Sequence, residues 1–402
     1  MLSWGFKTRG QRPIGLDIGH NSVKMIQLLM DGEHISVIAA DEIRIEQSIN
    51  EDEQSRRNFI ISSIKQMLSK GSFKGKNVVS CLPSGKLKIT SLRLPETEEH
   101  EIEQALRKEI THRFGLNPDE DSMDYVVAGN VRQDDEIKSE LIVFAADKET
   151  IKEHIQILVE AGLKPVAVDI IPFALFRSFE RSLRRQEDRD RTTVFVDVGS
   201  RFTTVVFGRG GEISFVKEIP IGGEKFSQEV AARLGINIGE AEMLRDAIRS
   251  DKGFSKSRSG VTAEGHNIDS QNIDAQTRQV VVDAVSRIVE DLAREISLCL
   301  RYYTVTFRGK RVERAIIAGG GAYEDILLNI LRRYLSVDIE IAQPLRGFDL
   351  SSERTNLNFD GDRRGFLCEW AVAVGLSLKG WNGANEEEIK AGCGERGNYE
   401  RD

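Results

Sequence analysis

The sequence predicts an α/β protein of two similar lobes, with a small β/α unit inserted into the first. Three observations lead there. A three-strand pattern near the N-terminus recurs 180 residues later, as Asp17 and Asp197 show. A segment of charged helix and short strands separates the two copies. The second copy is followed by a long one-faced helix, a short apolar strand and three consecutive glycines, Gly319 to Gly321.

The totals agree. At roughly 150 residues per domain, 402 residues suggest two to three domains. With 40% hydrophobic and 30% charged residues, the chain has an ordinary globular composition and enough length to bury a large core. A net charge of -8 argues against a general nucleic-acid binder, which would be basic. No apolar run reaches the roughly 18 residues needed to cross a bilayer. The opening MLSWGFKTRGQRP lacks the apolar stretch of a signal peptide, so a cytoplasmic protein is expected. Cys81, Cys299, Cys368 and Cys393 are far apart and form no C-x-x-C pair, which argues against zinc or a disulfide framework.

Taken in order, the first copy reads PIGLDIGHNSVKMIQLLMDGEHISVIAADEI and the second VFVDVGSRFTTVVFGRGGEISFVKEIPI. In each, an apolar strand ends in Asp (Asp17, Asp197) and a Gly follows two residues on (Gly19, Gly199). A polar turn leads to a second strand, then a turn with Gly-Glu and a third strand. Runs of Val, Ile, Phe and Thr bounded by Gly and Asp are the pattern of a three-stranded meander. Between the copies, the sequence predicts a charged helix at 99–114, strands at 125–127 and 140–145, a helix at 148–161 and a strand at 164–168. After the second copy come helices at 224–234 and 276–302, a buried strand at 314–317, a helix at 322–334 and a strand at 337–341. The small apolar stretch 371–378 suits close packing near a cleft. The expected organisation is a first lobe over 1–94 and 166–190, an inserted unit over 95–165, and a second lobe over 191–381. Within the second lobe, 251–277 is a polar insertion, and 382–402 is a polar tail expected to be mobile. At the start, Leu2, Trp4 and Phe6 read as a short segment packed on the first lobe.

The repeated D-x-G carries the chemistry. A metal-bound nucleotide needs backbone N–H groups aimed at phosphate oxygens and carboxylates for the metal, often through water. A glycine in the turn lets the phosphate approach the backbone. One such turn per lobe can pinch a phosphate chain, with Asp17 and Asp197 facing one Mg²⁺ through water and Lys24 reaching a phosphate as a point charge. A triple glycine after a buried strand offers a flat surface for a base or ribose near a helix N-terminus.

The order LDIGHNSVK, FVDVGSRFTT, AIIAGGGAYED resembles the actin-like ATPase superfamily. The fuller similarity, over about 5–381, is to the PilM family of type IV pilus assembly and competence proteins. It is carried by GLDIGHNSVKMIQL, by LRLPETEEHEIEQALRKEI, by LIVFAADKETIKEHIQILVEAGLKPVAVDIIPFAL and by GGEKFSQEVAARLGINIGEAEMLR. The resemblance implies a duplicated actin-like, ribonuclease H-like two-lobe fold with an inserted SHS2-type α+β subdomain. It implies ATP with Mg. By position, it places Asp17, Gly19, His20, Asn21, Ser22 and Lys24 in the first phosphate loop, and Asp197, Gly199, Ser200 and Thr203 in the second. It puts Glu242 and Arg245 on the helix that reaches the nucleoside, and Gly319, Gly320, Gly321 and Ala322 in the adenosine motif. From periodicity alone, Glu242 and Arg245 read instead as a surface i,i+3 pair.

Hydrolysing members of the superfamily often carry a polar residue before the proline that ends the first lobe. Here that place holds Ile171, which can neither orient nor deprotonate water. Asp169, on the same side by alternation, is the catalytic candidate. Nucleotide is therefore expected to bind, with turnover slow or absent. The resemblance further implies docking of the N-terminal cytoplasmic peptide of PilN, a bitopic inner-membrane protein, together with other components of the pilus machine. Self-association is left open, and neither nucleic acid nor direct membrane insertion is expected. Two other classes compete: an FtsA-like division protein, and a sugar or acetate kinase of the same superfamily. The polar ending EEEIKAGCGERGNYERD has no apolar face for the membrane helix with which FtsA-like chains end.

Overall fold

The computed structural model describes residues 10–379, apart from 33, 47–48, 50–51, 96–98, 134–135, 181–190, 250–272, 308–310 and 352–366. The tail, Cys393, most of the polar insertion and Leu2, Trp4 and Phe6 lie outside the described residues.

The first meander is β1 (Gly10–Ile18), β2 (Ser22–Asp31) and β3 (His34–Arg44), paired antiparallel in sequence. Its strands are buried over long continuous runs because both sheet faces are covered. Helix α1 (Glu53–Ser69) follows, capped by Asp52, whose carboxylate accepts the Ser55 N–H at 2.7 Å. The sequence reading assigns no helix here. Its apolar face is a narrow row (Ile60, Ile61, Ile64, Met67) in an otherwise polar segment. The strand β4 (Asn77–Cys81) then joins β1 in parallel.

The inserted unit is β5 (Lys88–Pro95), α2 (Glu99–Phe114), β6 (Ser122–Gln133) and β7 (Glu136–Ala146). They form a three-stranded antiparallel sheet in the order β5-β7-β6, with Leu106 and Ile110 of α2 packed on Val143 and Ala145 of β7. The sheet opens at Lys88, before the expected boundary at 95, because β5 pairs with β7 along its whole length. It closes at Ala146, well before 165. Helix α3 (Lys148–Glu160) already belongs to the first lobe: its Leu158 packs with Ile60 and Ile64 of α1, and β8 (Lys164–Asp169) pairs with β4. The first sheet thus reads β3-β2-β1-β4-β8.

After α4 (Ile171–Glu180), the second lobe repeats this plan. It has the meander β9 (Thr192–Val198), β10 (Thr203–Arg209) and β11 (Glu212–Ile219), then helices α5 (Gly223–Leu234), α6 (Ile238–Arg249) and α7 (Ala275–Thr306). Strand β12 (Val312–Ala318), helix α8 (Asp325–Tyr334) and strand β13 (Asp338–Ile341) complete it. The sheet order β11-β10-β9-β12-β13 matches that of the first lobe position for position. Helix α7 starts at Ala275, capped by Asp274, so the end of the expected polar insertion is helical. The helix expected over 322–334 is broken. Gly319 sits at φ 81°, a single 3-10 turn covers Gly320–Tyr323, Glu324 is extended, and only then does α8 begin.

The closing helix, α9 (Ala371–Ser377), corrects the expected boundary of the second lobe. It returns to the first lobe, with Ala373 and Val374 packed among Ile26, Leu28, Ile35 and Val37. Close approach explains its small residues. A Cβ on Gly15 of β1 would lie 2.1 Å from the Ala373 carbonyl oxygen, and one on Gly375 would lie 1.7 Å from that of Ala174 in α4. Helix α4 also reaches the second lobe, where Phe176 and Phe179 pack on Phe195 with ring centroids 5.7 and 5.5 Å apart. The two lobes therefore share α4 as a packed bridge.

Candidate functional site: a cleft between two acidic hairpins

The hairpin turns are near-copies. Gly19 N–H donates to the Ser22 carbonyl at 2.9 Å, and Gly199 N–H donates to that of Phe202 at 3.0 Å. A Cβ on either glycine would sit 3.1 or 3.0 Å from the carbonyl oxygen of its own turn, so both turns are tight at the same point. The ladders place Asp17 opposite Lys24 and Asp197 opposite Thr204. The turn tips meet across the lobes. Ser200 Oγ donates to Asn21 Oδ1 at 3.0 Å, and Asn21 Nδ2 donates to Glu242 Oε1 of α6 at 3.3 Å. Beneath them lies a cleft of about 1960 Å³, whose wall includes Asp17, Lys24, Asp197, Thr204, Gly320 and Ile171.

Its charges are strongly coupled. Desolvation raises the Asp17 carboxyl; Lys24 pulls it back and Glu42 pushes it further up. Asp197 is raised to about 7, first by desolvation and then by the charge of Asp17, against the pull of Lys24. Burial depresses the Lys24 ammonium, but Glu42, Asp17 and Glu369 together more than reverse this and hold it charged. Lys24 Nζ donates to Ser22 Oγ at 2.5 Å and lies 3.5 Å from Glu42. Two carboxylates that resist being charged together are the electrostatic setting a divalent cation relieves.

The glycine turn faces the same floor. Ala318 pairs with Asp197, and a Cβ on Gly319 would be 2.4 Å from Asp197 Oδ1. One on Gly321 would be 2.4 Å from Val198 Cγ1, whereas one on Gly320 would meet nothing within 4 Å. The backbone is thus pressed onto β9 on one side and open to the cleft on the other. These residues fit a metal-bound nucleotide: acids for the cation, a cation and glycine turns for phosphate, and a bare backbone surface for the nucleoside. Among the described residues, no group of three His, Cys, Asp or Glu is placed to hold a metal by itself.

Three expected site residues, Thr203, Ala322 and Asp169, stand off the cleft wall, and a fourth, Arg245, lines it with its guanidinium engaged by protein partners. Thr203 is fully buried and gives its hydroxyl to the Ile221 carbonyl at 2.7 Å; the residue on the cleft wall is Thr204. Ala322 is buried in the core beneath the glycine turn. Arg245 is not in a surface pair with Glu242. It is 5% exposed, ion-paired with Glu324, bonded to Ser227 Oγ at 2.6 Å and the Gly223 carbonyl at 2.8 Å, and 5.2 Å from the Phe226 ring. It lies on the buried face of α6 with Ala241 and Ile248, fastening α6 to the turn before α8. Asp169 does not line the cleft. Its carboxylate is held by Arg177 at 2.9 Å and Lys379 at 3.3 Å, tying α4 to the residues just after α9. Conversely, Thr204, Glu42, Arg56 and Arg201 line the cleft unforeseen. Thr204 was readable: it follows Asp197 by seven residues, as Lys24 follows Asp17.

Two repeated lobes, each a meander extended by two parallel strands, closing on paired acidic turns and a glycine turn, define the actin-like ATPase fold. Solved structures agree. A "PilM-PilN type IV pilus biogenesis complex" is similar at TM-score 0.70 and 20% identity, over 93% of this chain and 98% of that one. The ethanolamine utilization protein EutJ from Carboxydothermus hydrogenoformans is similar at TM-score 0.51 and 14% identity, over 93% and 91%. The model of the family described as type IV pilus assembly protein PilM matches residues 15–253, more than half of the sequence. The chain belongs to that family. Among its described residues, no helix is long and apolar enough to cross a membrane.

Proposed function

We propose that this chain binds Mg-ATP between its lobes and serves as a nucleotide-set scaffold of the type IV pilus, or of a related competence or secretion machine. In that role it docks the N-terminal cytoplasmic tail of a PilN-like inner-membrane protein and works at the cytoplasmic face of that membrane through its partners. The observation that carries nucleotide binding is the convergence of Asp17 and Asp197, at the ends of two matching hairpins, on one cleft floor beside Lys24 and Gly320. In this reading the two aspartates hold Mg²⁺ through water. The turns Gly19–Ser22 and Gly199–Ser200 and Lys24 hold the phosphates. Gly319–Gly321 carry the nucleoside, with Glu242 at its edge. The partner half rests on family membership and on a relative whose solved structure is a PilM–PilN complex. The same membership favours this reading over a division protein or a small-molecule kinase.

Ile171 lines the cleft where a water-orienting group would stand. This supports nucleotide acting as a conformational ligand, biasing the angle between lobes, with slow or no turnover. Calorimetry tests the site. Asp17→Ala and Asp197→Ala should each weaken Mg-ATP binding at least tenfold, the order expected for losing a charge-assisted contact. Gly320→Val should abolish binding without altering the melting temperature, since its side chain enters open space. Unchanged affinity in all three variants would remove nucleotide from this cleft. For the partner, a synthetic N-terminal peptide of the PilN-like protein should raise the melting temperature by mass action. No shift at saturation would sink the docking half.

A further inference from the structure

The nucleotide reading leaves a charged cluster at the turn tips unused. Arg201 follows Ser200 in the second turn, at the seam where Ser200 meets Asn21. Its side chain is 52% exposed and its Nε lies 2.7 Å from Glu224, in the first turn of α5. The same carboxylate lies 3.5 Å from His20 in the opposite turn. Arg56 of α1 donates to the Gly19 carbonyl at 2.8 Å and the His20 carbonyl at 3.0 Å. Because a trans peptide points its N–H opposite its C=O, these bonds turn the His20 and Asn21 N–H groups away from α1.

Three features make this cluster suited to an anion. First, two guanidiniums, Arg201 and Arg56, converge on His20. The His20 imidazole is held down to about 4 by burial, then by Arg201 and Arg56, and Glu224 only partly opposes them. Second, it is preset. The Gly223 and Glu224 N–H groups donate to the Gly199 and Ser200 carbonyls at 3.0 and 2.8 Å. A Cβ on Gly222 would lie 2.4 Å from the Ser200 oxygen, so the turn and α5 are locked together. Third, the Arg201–Glu224 pair costs little to open. Arg201 is the exposed end of the pair, and the half-buried Glu224 keeps His20 and the favourable N-terminal field of α5 without it. A phosphate offers the guanidinium a more highly charged, bidentate acceptor.

The sheet order says which phosphate. Asp197 on β9 lies between β12 and β10. Gly319, after Ala318, is on the β12 side, while Arg201, in the β9–β10 turn, is on the other. With the nucleoside on the glycine turn and the cation at Asp197, the far end of the phosphate chain falls on the Arg201 side. We propose that Arg201 takes the outermost phosphate of the bound nucleotide, exchanging Glu224 for it, and so distinguishes a triphosphate from a diphosphate.

This rests on the cleft binding nucleotide at all, and the test separates the two. Mg-ATP and Mg-ADP would be titrated calorimetrically into the full-length protein, Arg201→Ala and Glu224→Gln. Arg201→Ala should weaken Mg-ATP about tenfold or more while changing Mg-ADP less than about twofold. Glu224→Gln, which removes the competing carboxylate, should tighten Mg-ATP a few-fold. Equal losses for both nucleotides in Arg201→Ala, or no loss, would overturn the assignment while leaving the cleft's role intact. Should Arg201→Ala fail to fold, Glu224→Gln decides: weaker or unchanged Mg-ATP binding overturns the exchange. Binding of neither nucleotide by the unaltered protein would overturn both proposals.

Discussion

The two hairpins share a backbone and differ in charge. In the first lobe, the residue across the ladder from the acid is Lys24; in the second it is Thr204. The consequence is visible in the acids. Asp17 has a cation as its strand partner, while Asp197 has a neutral hydroxyl and feels Lys24 only from the other lobe. Desolvation and Asp17 therefore lift Asp197 to about 7. Duplication supplied two equal turns. Sequence divergence gave one a lysine across from its acid and left the other with a carboxylate raised to about 7.

The largest test is to erase the difference. Lys24→Thr would put a neutral hydroxyl across from the acid in both lobes. It would leave Asp17, Glu42 and Glu369 facing one another without the ammonium that offsets them. Removing one member of a buried charged cluster costs about 3–5 kcal/mol, and urea unfolding at pH 7 should read a loss of that order. A loss below about 1 kcal/mol, the range of exposed pairs, would mean that Lys24 is not the cluster's anchor and that the lobes are electrostatically alike.

A second test isolates Asp197. Its folded pKa lies above the unfolded value, so its stabilising contribution is complete below about pH 4 and is lost as pH rises through about 7. Asp197→Asn should match the unaltered protein at pH 4 and exceed it at pH 8, by something on the order of 4 kcal/mol. Mg-ATP binding to the unaltered protein should tighten between pH 6 and 8, as the metal meets an ionised carboxylate more often. A stability difference that does not vary with pH would put Asp197 in an ordinary carboxylate environment.

What the sequence made legible follows the range of the interactions. The hairpins were readable because their determinants are local: an acid, a glycine two residues on, and alternating apolar strands. The return of α9 to the first lobe was not, because it depends on Gly15 meeting Ala373 across more than three hundred residues. Arg245 shows the same limit within one helix. Its position with Ala241 and Ile248 marks the buried face, yet its partner Glu324 is 79 residues away, so a reading confined to neighbours pairs it with Glu242 instead. Helix α1 escaped because its apolar row is narrow, and with it went Arg56, which holds the first turn's carbonyls. At the second hairpin the resemblance pointed to Thr203, while the threonine on the cleft wall is its neighbour Thr204.

That last pair of residues defines the smallest test. Thr203 and Thr204 are adjacent, chemically identical and oppositely directed, since side chains alternate along a strand. Thr203 spends its hydroxyl on the Ile221 carbonyl inside the protein, while Thr204 stands opposite Asp197 on the cleft wall. Replacing each by valine keeps the volume and removes only the hydroxyl. Thr203→Val should cost about 1 kcal/mol of stability, the net worth of one buried hydrogen bond, with Mg-ATP affinity unchanged. Thr204→Val should leave the melting temperature in place and weaken Mg-ATP about threefold, as expected for one neutral contact at the ligand. If Thr203→Val instead weakened binding while Thr204→Val did not, the register β9–β10 would be off by one residue, and with it the equivalence of Thr204 and Lys24 on which the comparison of the two lobes depends.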